Sequence, residues 1–174
     1  ARYRKTGKWG HIQLSGFAGV VRFRSATDST ESTGLFGVNL SGQINFLKKD
    51  YFIYQVIAGP GISRYRSGKF AAPDANDELT AISGIGYTAG IRHFWSPAFS
   101  TLVVANYGSE DNLSSQPGTD LKSAFYGAVN LIWQFHKSAF AGIEYLHGIR
   151  TNFDDAEGKA NRIQFSIHVD INKH

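Results

Sequence analysis

The sequence predicts an all-β protein, a transmembrane antiparallel β-barrel wall of about eight to nine strands. Three observations carry this. The stretch Arg162-Ile163-Gln164-Phe165-Ser166-Ile167-His168-Val169-Asp170-Ile171-Asn172 alternates five apolar with six polar residues. Such a strand meets hydrocarbon on one face and water on the other. Aromatic residues gather where the strands approach short turns. Connections alternate between tight turns and longer polar loops, the asymmetry of a barrel whose long loops lie outside the cell.

Strands are expected at residues 1–5, 10–25, 35–47, 51–67, 79–95, 100–110, 122–136, 139–152 and 161–172. The first, within Ala1-Arg2-Tyr3-Arg4-Lys5, reads as the tail of a strand already under way and lacks the apolar core of a signal peptide. The second sets Ile12 and Leu14 against His11, Gln13 and Ser15. It then blurs at Phe17-Ala18-Gly19-Val20-Val21, where a β-bulge is expected. In the third, Phe36, Val38, Leu40, Ile44 and Phe46 oppose Asn39, Ser41, Gln43 and Asn45. The fourth must bend or break at Gly59-Pro60-Gly61. Residues 122–136 set Phe125, Val129, Leu131, Trp133 and Phe135 against Tyr126, Asn130 and Gln134. Residues 139–152 set Ala141, Ile143, Tyr145 and Ile149 against Glu144 and Arg150. The short connections are Thr6-Gly7-Lys8-Trp9, Lys48-Lys49-Asp50, Ser96-Pro97-Ala98-Phe99 and Lys137-Ser138. The long ones centre on 26–34, 68–78, 111–121 and 153–160, rich in Asp, Ser, Thr, Gly and Pro.

Composition narrows the function classes. The 174 residues suffice for one domain, taken as 1–174, a single barrel segment. No apolar run approaches the ~18 residues of a membrane helix. Without cysteine there are neither disulfides nor thiolate metal sites. The net charge of +4 comes with basic residues spread along strands, not clustered as a nucleic-acid patch, so no nucleic-acid partner is expected. Most acids lie in or beside the long loops, which leaves Glu144 nearly alone within a strand body. The loops Asp74-Ala75-Asn76-Asp77-Glu78 and Asp154-Asp155-Ala156-Glu157 read as solvated charge, with divalent cations or lipopolysaccharide as alternative partners. The histidines are scattered with no nucleophile motif beside them, so no enzyme, metal site or cofactor is expected.

The polar face collects Arg2, Arg4, Gln43, Arg92, Asn106, Asn130, Gln134, Glu144, Arg150, Arg162, Gln164 and His168. Small neighbours Ser41, Gly84, Thr88, Gly90 and Ser166 would leave room for water. A wall with many arginines and few acids attracts small anions. Inside a closed eight-stranded barrel those arginines would need buried partners, and too few acids exist to supply them. A wider, hydrated lumen to which this chain contributes part of the wall is therefore favoured. An interfacial girdle is expected from Trp9, Phe94, Trp95, Trp133 and Phe135, joined by Phe46, Tyr51, Phe52, Phe99 and Phe140.

Tyr126-Gly127-Ala128-Val129-Asn130-Leu131-Ile132-Trp133, Gly142-Ile143-Glu144-Tyr145-Leu146-His147-Gly148 and Ala160-Asn161-Arg162-Ile163-Gln164-Phe165-Ser166 resemble the closing strands of DcaP-like porins. Trp9-Gly10-His11-Ile12-Gln13-Leu14 and Arg92-His93-Phe94-Trp95-Ser96-Pro97 fit the same family. The resemblance covers nearly the whole chain and the C-terminal half of such a porin. It implies part of a sixteen-stranded barrel, a homotrimer, and a channel for small anions, notably dicarboxylic and aromatic acids. It also implies that a preceding half supplies the start of the first strand, and that Arg2, Arg4, Arg92 and Arg162 line the channel with Glu144 as acidic counterpart. Where the family ends in an aromatic residue, this chain has Ile171 followed by Asn172-Lys173-His174.

The expected protein is a passive porin of the Gram-negative outer membrane, preferring small anionic solutes and touching outer-membrane lipid and lipopolysaccharide. The competing expectation is a self-contained eight-stranded barrel with a filled lumen and a structural or adhesive role. A soluble β-sandwich is the third.

Overall fold

A computed structural model describes residues 1–24, 30–47, 49–63, 68–76 and 78–170. Its elements are all strands: β1 Arg2–Gly7, β2 Gly10–Arg24, β3 Thr30–Phe46, β4 Asp50–Pro60, β5 Ala71–Pro73, β6 Leu79–Ala81, β7 Ser83–Phe94, β8 Phe99–Glu110, β9 Leu121–His136, β10 Ala139–Asn152 and β11 Glu157–Val169. Nine of them form one antiparallel sheet in the order β1-β2-β3-β4-β7-β8-β9-β10-β11, and β5 and β6 make a separate small hairpin. Each wall strand thus pairs with its neighbours along the chain.

Several expected boundaries move. The third strand begins at Thr30, earlier than 35, and the last at Glu157, earlier than 161. β4 ends at Pro60, well before residue 67, because the chain turns at Gly59 (φ 139°) and Gly61 (φ 85°). Only glycine adopts such backbone without strain. The expected strand 79–95 divides at Ile82 into β6 and β7, and the expected loop 68–78 contains β5. The bulge expected at Phe17–Val21 is absent: β2 and β3 pair without a slip from Gly10↔Ile44 to Arg24↔Thr30. Alternation is kept there, and what blurs it is composition, since Phe17 and Val21 stand on the otherwise polar face. Register slips occur instead between β9 and β10, at Ala139/Ala141 and Thr151/Asn152. Expected features at residues 25–29, Lys48, residues 64–67, Asp77 and the terminal Ile171-Asn172-Lys173-His174 lie outside the described residues.

Burial runs opposite to that of a water-soluble protein. Along β2 and β3, Leu14 is 51 % exposed, Phe36 58 % and Val38 52 %, while Gln13, Ser15, Asn39 and Ser41 are half-buried. Ile91, Val103, Tyr107, Val129, Leu131, Ile143 and Tyr145 continue the exposed apolar face across β7 to β10. Among the described residues the buried apolar set is short: Leu35, Ile62, Ala72, Ile82, Leu121, Ala128, Ala139 and Leu146. A sandwich would cover its apolar face with a second sheet. Here the nine strands are one layer, and an apolar face this extensive suits hydrocarbon, not water.

The sheet has two edges among the described residues. β1 pairs only β2, β11 pairs only β10, and both are exposed along their whole length. The eight-stranded closed barrel of the competing expectation is therefore not the observed arrangement.

Candidate functional site

Cross-strand partners share a face, so the register assigns every residue to one side. Arg2 lies opposite Ser15, Arg4 opposite Gln13, and Arg92 opposite Tyr51 and Leu102. Asn130 faces Leu102 on one side and Glu144 on the other, and Glu144 in turn faces Gln164. Arg162 lies opposite Leu146, and Arg150 opposite Ala124 and Gly158. Followed strand by strand, all eight of these expected residues stand on the polar face, with Ser41, Gln43, Thr88 and Asn106; Arg92, Asn130 and Glu144 are half-buried there, whereas Arg2, Arg4, Arg150, Arg162 and Gln164 are exposed.

Hydrogen bonds knit this face. Gln55 donates to Asn39 at 2.8 Å, Asn39 to Ser15 at 3.2 Å, and Thr88 to Asn106 at 2.6 Å. Asn130 donates to Glu144 at 3.2 Å while its own Oδ1 accepts the Leu102 N–H at 3.0 Å. A cleft of about 320 Å³ runs beside this pair, lined by Asn130, Glu144, Gln164, Ser166 and His168 among others. Arg92 donates to Ser100 at 2.9 Å and its guanidinium carbon stands 5.2 Å from the centre of the Phe94 ring. Its buried Nε has no hydrogen-bond partner. Among the described residues, no ion pair involves Arg2, Arg4, Arg92 or Arg162. Unpaired guanidinium groups on one surface keep their full charge and hold a positive potential there.

The aromatic expectation divides. Near the short turns, Phe99 stacks on Trp133 (centroids 6.3 Å, planes 7° apart) and Trp133 meets Phe135 at 5.3 Å. Trp95 donates its Nε1–H to Thr101 at 2.9 Å and packs edge-on against His93 at 4.3 Å. Trp9 sits in the β1–β2 turn, 44 % exposed. Phe94 departs from the girdle: opposite Ser100 and beside Arg92, it belongs to the polar face, as do Tyr51, opposite Arg92, and Phe140, opposite His168. Counting alternate residues back from Ile91 would have placed Phe94 there. Beside the girdle, Asp50 is buried, accepts the Phe94 N–H at 2.9 Å and lies 2.5 Å from His93 Nδ1. That contact ties the start of β4 to the end of β7.

At the opposite, long-loop end the polar face is covered. A Cβ placed on Gly37 would strike the Ile62 side chain at 2.8 Å and the Phe17 ring at 2.4 Å, and one on Gly84 would meet Ser63 Oγ at 3.1 Å. Gly37 and Gly84 both point to the polar face by register, so the chain leaving β4 folds over that face. Gly84 was expected to leave room for water, and Ser63 and Ile62 occupy that room instead. Ile62 and Ile82 are fully buried there.

Two connections, β4–β7 and β8–β9, interlock above this seat with residues of β3 and β10. Lys69 pairs with Asp120 at 2.8 Å, Gln116 donates to Asp120 at 3.0 Å, and Arg150 donates to the Thr119 carbonyl at 3.0 Å. Leu79 N–H donates to Glu31 at 3.1 Å, and Ser115 donates to the Pro73 carbonyl. Arg150 therefore stands apart from the other arginines, fixed at the loop end. Gly68, Lys69, Glu110, Gln116, Asp120, Leu121 and Arg150 enclose a cavity of about 260 Å³. Of this cluster the sequence singled out Arg150 alone. The available signal was glycine at polar-face positions 37 and 84, following the break at Gly59-Pro60-Gly61.

Burial pushes the Asp120 carboxyl upward, but hydrogen bonds from Lys69 and Gln116, with the charges of Lys69 and Arg150, outweigh it and hold the group below its ordinary 3.8. A depressed carboxylate stabilises the folded arrangement above the ordinary value and loses that contribution as pH falls through the lowered one. Amide exchange around residues 68–73 and 115–120 is expected to quicken, relative to intrinsic rates, once the pH drops below 3.8. Asp120→Asn should abolish that pH dependence, and its persistence in the variant would exclude Asp120 as the titrating group.

No protein-family profile matches the chain, and no curated protein matches it significantly in sequence. Two solved structures share its fold. The outer membrane channel DcaP of Acinetobacter baumannii superposes with TM-score 0.70 at 12 % identity, covering 97 % of this chain and 61 % of the channel. The chain thus spans less than two thirds of that channel's length. The NanC porin superposes with TM-score 0.54 at 11 % identity, covering 98 % of this chain and 97 % of the porin. Both likenesses concern the fold, an antiparallel outer-membrane barrel wall.

Proposed function

We propose that this chain forms part of the wall of a passive outer-membrane porin that prefers small anions, with dicarboxylic and aromatic acids as candidate solutes. The observation that carries the reading is the set Arg2, Arg4, Arg92 and Arg162, without ion pairs among the described residues, on the polar face of a sheet whose reverse is apolar and exposed. Gln164, Asn130 and Glu144 complete the lining, and the apolar face rests in lipid with lipopolysaccharide around its loop end. The fold shared with two outer-membrane channels supports this, and so does the absence, among the described residues, of a second sheet over the apolar face.

Strand parity supports a larger barrel. All eight pairings within the sheet are antiparallel, so β1 and β11 run in the same direction. Closing these edges on each other, or on a second copy in the same orientation, would require parallel seams. Bacterial outer-membrane barrels are antiparallel with even strand numbers, so the wall is completed by an odd number of further strands. Seven would make the sixteen that the resemblance implies, within a trimer.

Reversal potentials across planar bilayers in a salt gradient test the reading. Arg92→Ala with Arg162→Ala should lower the anion-to-cation permeability ratio about two- to tenfold. Unchanged selectivity would overturn the role given to these arginines.

A further inference from the structure

We propose that the cleft across β9, β10 and β11 binds a zwitterionic solute with an aromatic ring, an aromatic α-amino acid being the simplest occupant. This rests on the porin reading and gives the channel a second solute class beside simple anions.

Four successive pairs of the β10–β11 ladder turn to the polar face: Leu146↔Arg162, Glu144↔Gln164, Gly142↔Ser166 and Phe140↔His168. Pairs on one face follow each other about 7 Å apart along a strand. Their chemistry changes in order, from a cation to an anion, then to an apolar floor, then to a pair of rings. Glu144 and Arg162 are diagonal neighbours of opposite sign, yet among the described residues no ion pair joins them. Asn130 anchors the carboxylate on the β9 side instead. It donates to Glu144 Oε2 at 3.2 Å while its own Oδ1 is fixed by the Leu102 N–H at 3.0 Å. Among the described residues, Glu144 Oε1 and the Arg162 guanidinium make no hydrogen bond. Both charges are therefore open to a ligand carrying the complementary pair. A carboxylate matches the guanidinium fork, and an ammonium matches Glu144.

The other half of the cleft is apolar although it faces water. Phe140 and His168 stack with centroids 5.0 Å apart and planes at 16°. Ile132 lies opposite Gly142, and a Cβ on that glycine would fall 2.7 Å from Ile132 Cδ1, so the isoleucine side chain spreads over it. Apolar surface of this kind gains stability when a ligand ring covers it. One cleft of about 320 Å³ joins the halves, bordered by Glu144 and Gln164 as well as by Phe140 and His168. That is the size of a small-molecule site, apolar with a few placed polar groups. An aromatic amino acid presents carboxylate, ammonium, methylene and ring in the order of the four pairs. A simple anion offers Glu144 nothing, and a simple cation offers Arg162 nothing.

Calorimetric titration of the protein extracted from its membrane tests the site. The probes are phenylalanine, phenylpropanoate, which lacks the ammonium, and alanine, which lacks the ring. Phenylalanine should bind about fivefold or more tighter than either. Glu144→Gln keeps the shape of the side chain and removes its charge, and it should erase the preference for phenylalanine over phenylpropanoate. His168→Ala should weaken phenylalanine about twofold or more. A preference that survives Glu144→Gln would overturn the site. Because a variant can fail to assemble, the parent protein gives a second reading: equal affinity for phenylalanine and phenylpropanoate would overturn the site without any substitution. Planar-bilayer recordings separate this from the porin reading. Ion conductance without phenylalanine binding would overturn the site alone. Phenylalanine binding with the expected preference, in a protein that passes no ions, would support the site and overturn the porin reading.

Discussion

Replacing Val103 by arginine is expected to destabilise the membrane-embedded protein by about 2–4 kcal/mol, whereas the same change at the adjacent Val104 should cost little. Val103 lies in the body of β8, Phe99–Glu110, and is 46 % exposed on the apolar face, opposite Ile91 and Val129. A guanidinium there must leave water for hydrocarbon. Val104 stands one residue on, half-buried between Gly90 and Ala128 on the polar face, the one turned away from hydrocarbon. The paired substitutions hold strand, depth and residue type nearly constant and vary only the face. Denaturant titration in lipid vesicles, followed by tryptophan fluorescence, measures the difference. Equal penalties would contradict the assignment of lipid and water to the two faces, and a larger penalty at Val104 would invert it.

The second large effect is expected at Gly59. Its φ of 139° suits glycine alone, and a Cβ there would fall 2.3 Å from the Phe36 carbonyl oxygen, a backbone atom that cannot rotate away. Gly59→Val should cost about 1–3 kcal/mol in backbone strain, with the pairing of β3 and β4 disturbed at its loop end besides. The damage should spread inward, because Gly59 immediately precedes the turn that delivers Ile62 to its seat. Hydrogen exchange at Gly61 and Ile82 should therefore accelerate together with that at Val38. Gly34→Val is the control: it stands on the outward face of β3 with open space around its Cβ. If both variants behave alike, the strain and the clash at Gly59 are not what hold the segment in place.

Much of the wall was legible in the sequence because alternation with a period of two is a local property. It survives wherever one face is uniformly apolar, as in Phe36-Gly37-Val38-Asn39-Leu40-Ser41, and it fixed the face of every expected arginine. It failed wherever a second layer of chain covers the polar face. Phe17, Val21, Leu35 and Ile57 are apolar residues on that face, and three of them lie at the loop end where the infolded segment rests. Phe17 read as part of a bulge because Ile62, which shares with it the space over Gly37, is distant in sequence. The loop-end cluster was illegible for the same reason. Lys69, Glu110, Asp120 and Arg150 come from four separate stretches, and the register that brings them together is set by the whole intervening ladder. Phe94 was misplaced through a different error, since proximity to a turn was weighed above alternation.

The meander order of the wall bears on how the protein reaches its native state. Every wall strand pairs with the next wall strand along the chain, and β2 and β3 alone align fifteen consecutive partners. Because loop-closure entropy grows with the length of chain enclosed, each hairpin forms at small entropic cost and presents an edge to the next. Folding can advance by successive local zippering, with low contact order at each step. The edges at β1 and β11 are the exception. In the proposed barrel, joining them through further strands is the event that waits on the whole chain, and the step at which assembly should be slowest and most open to misdirected pairing.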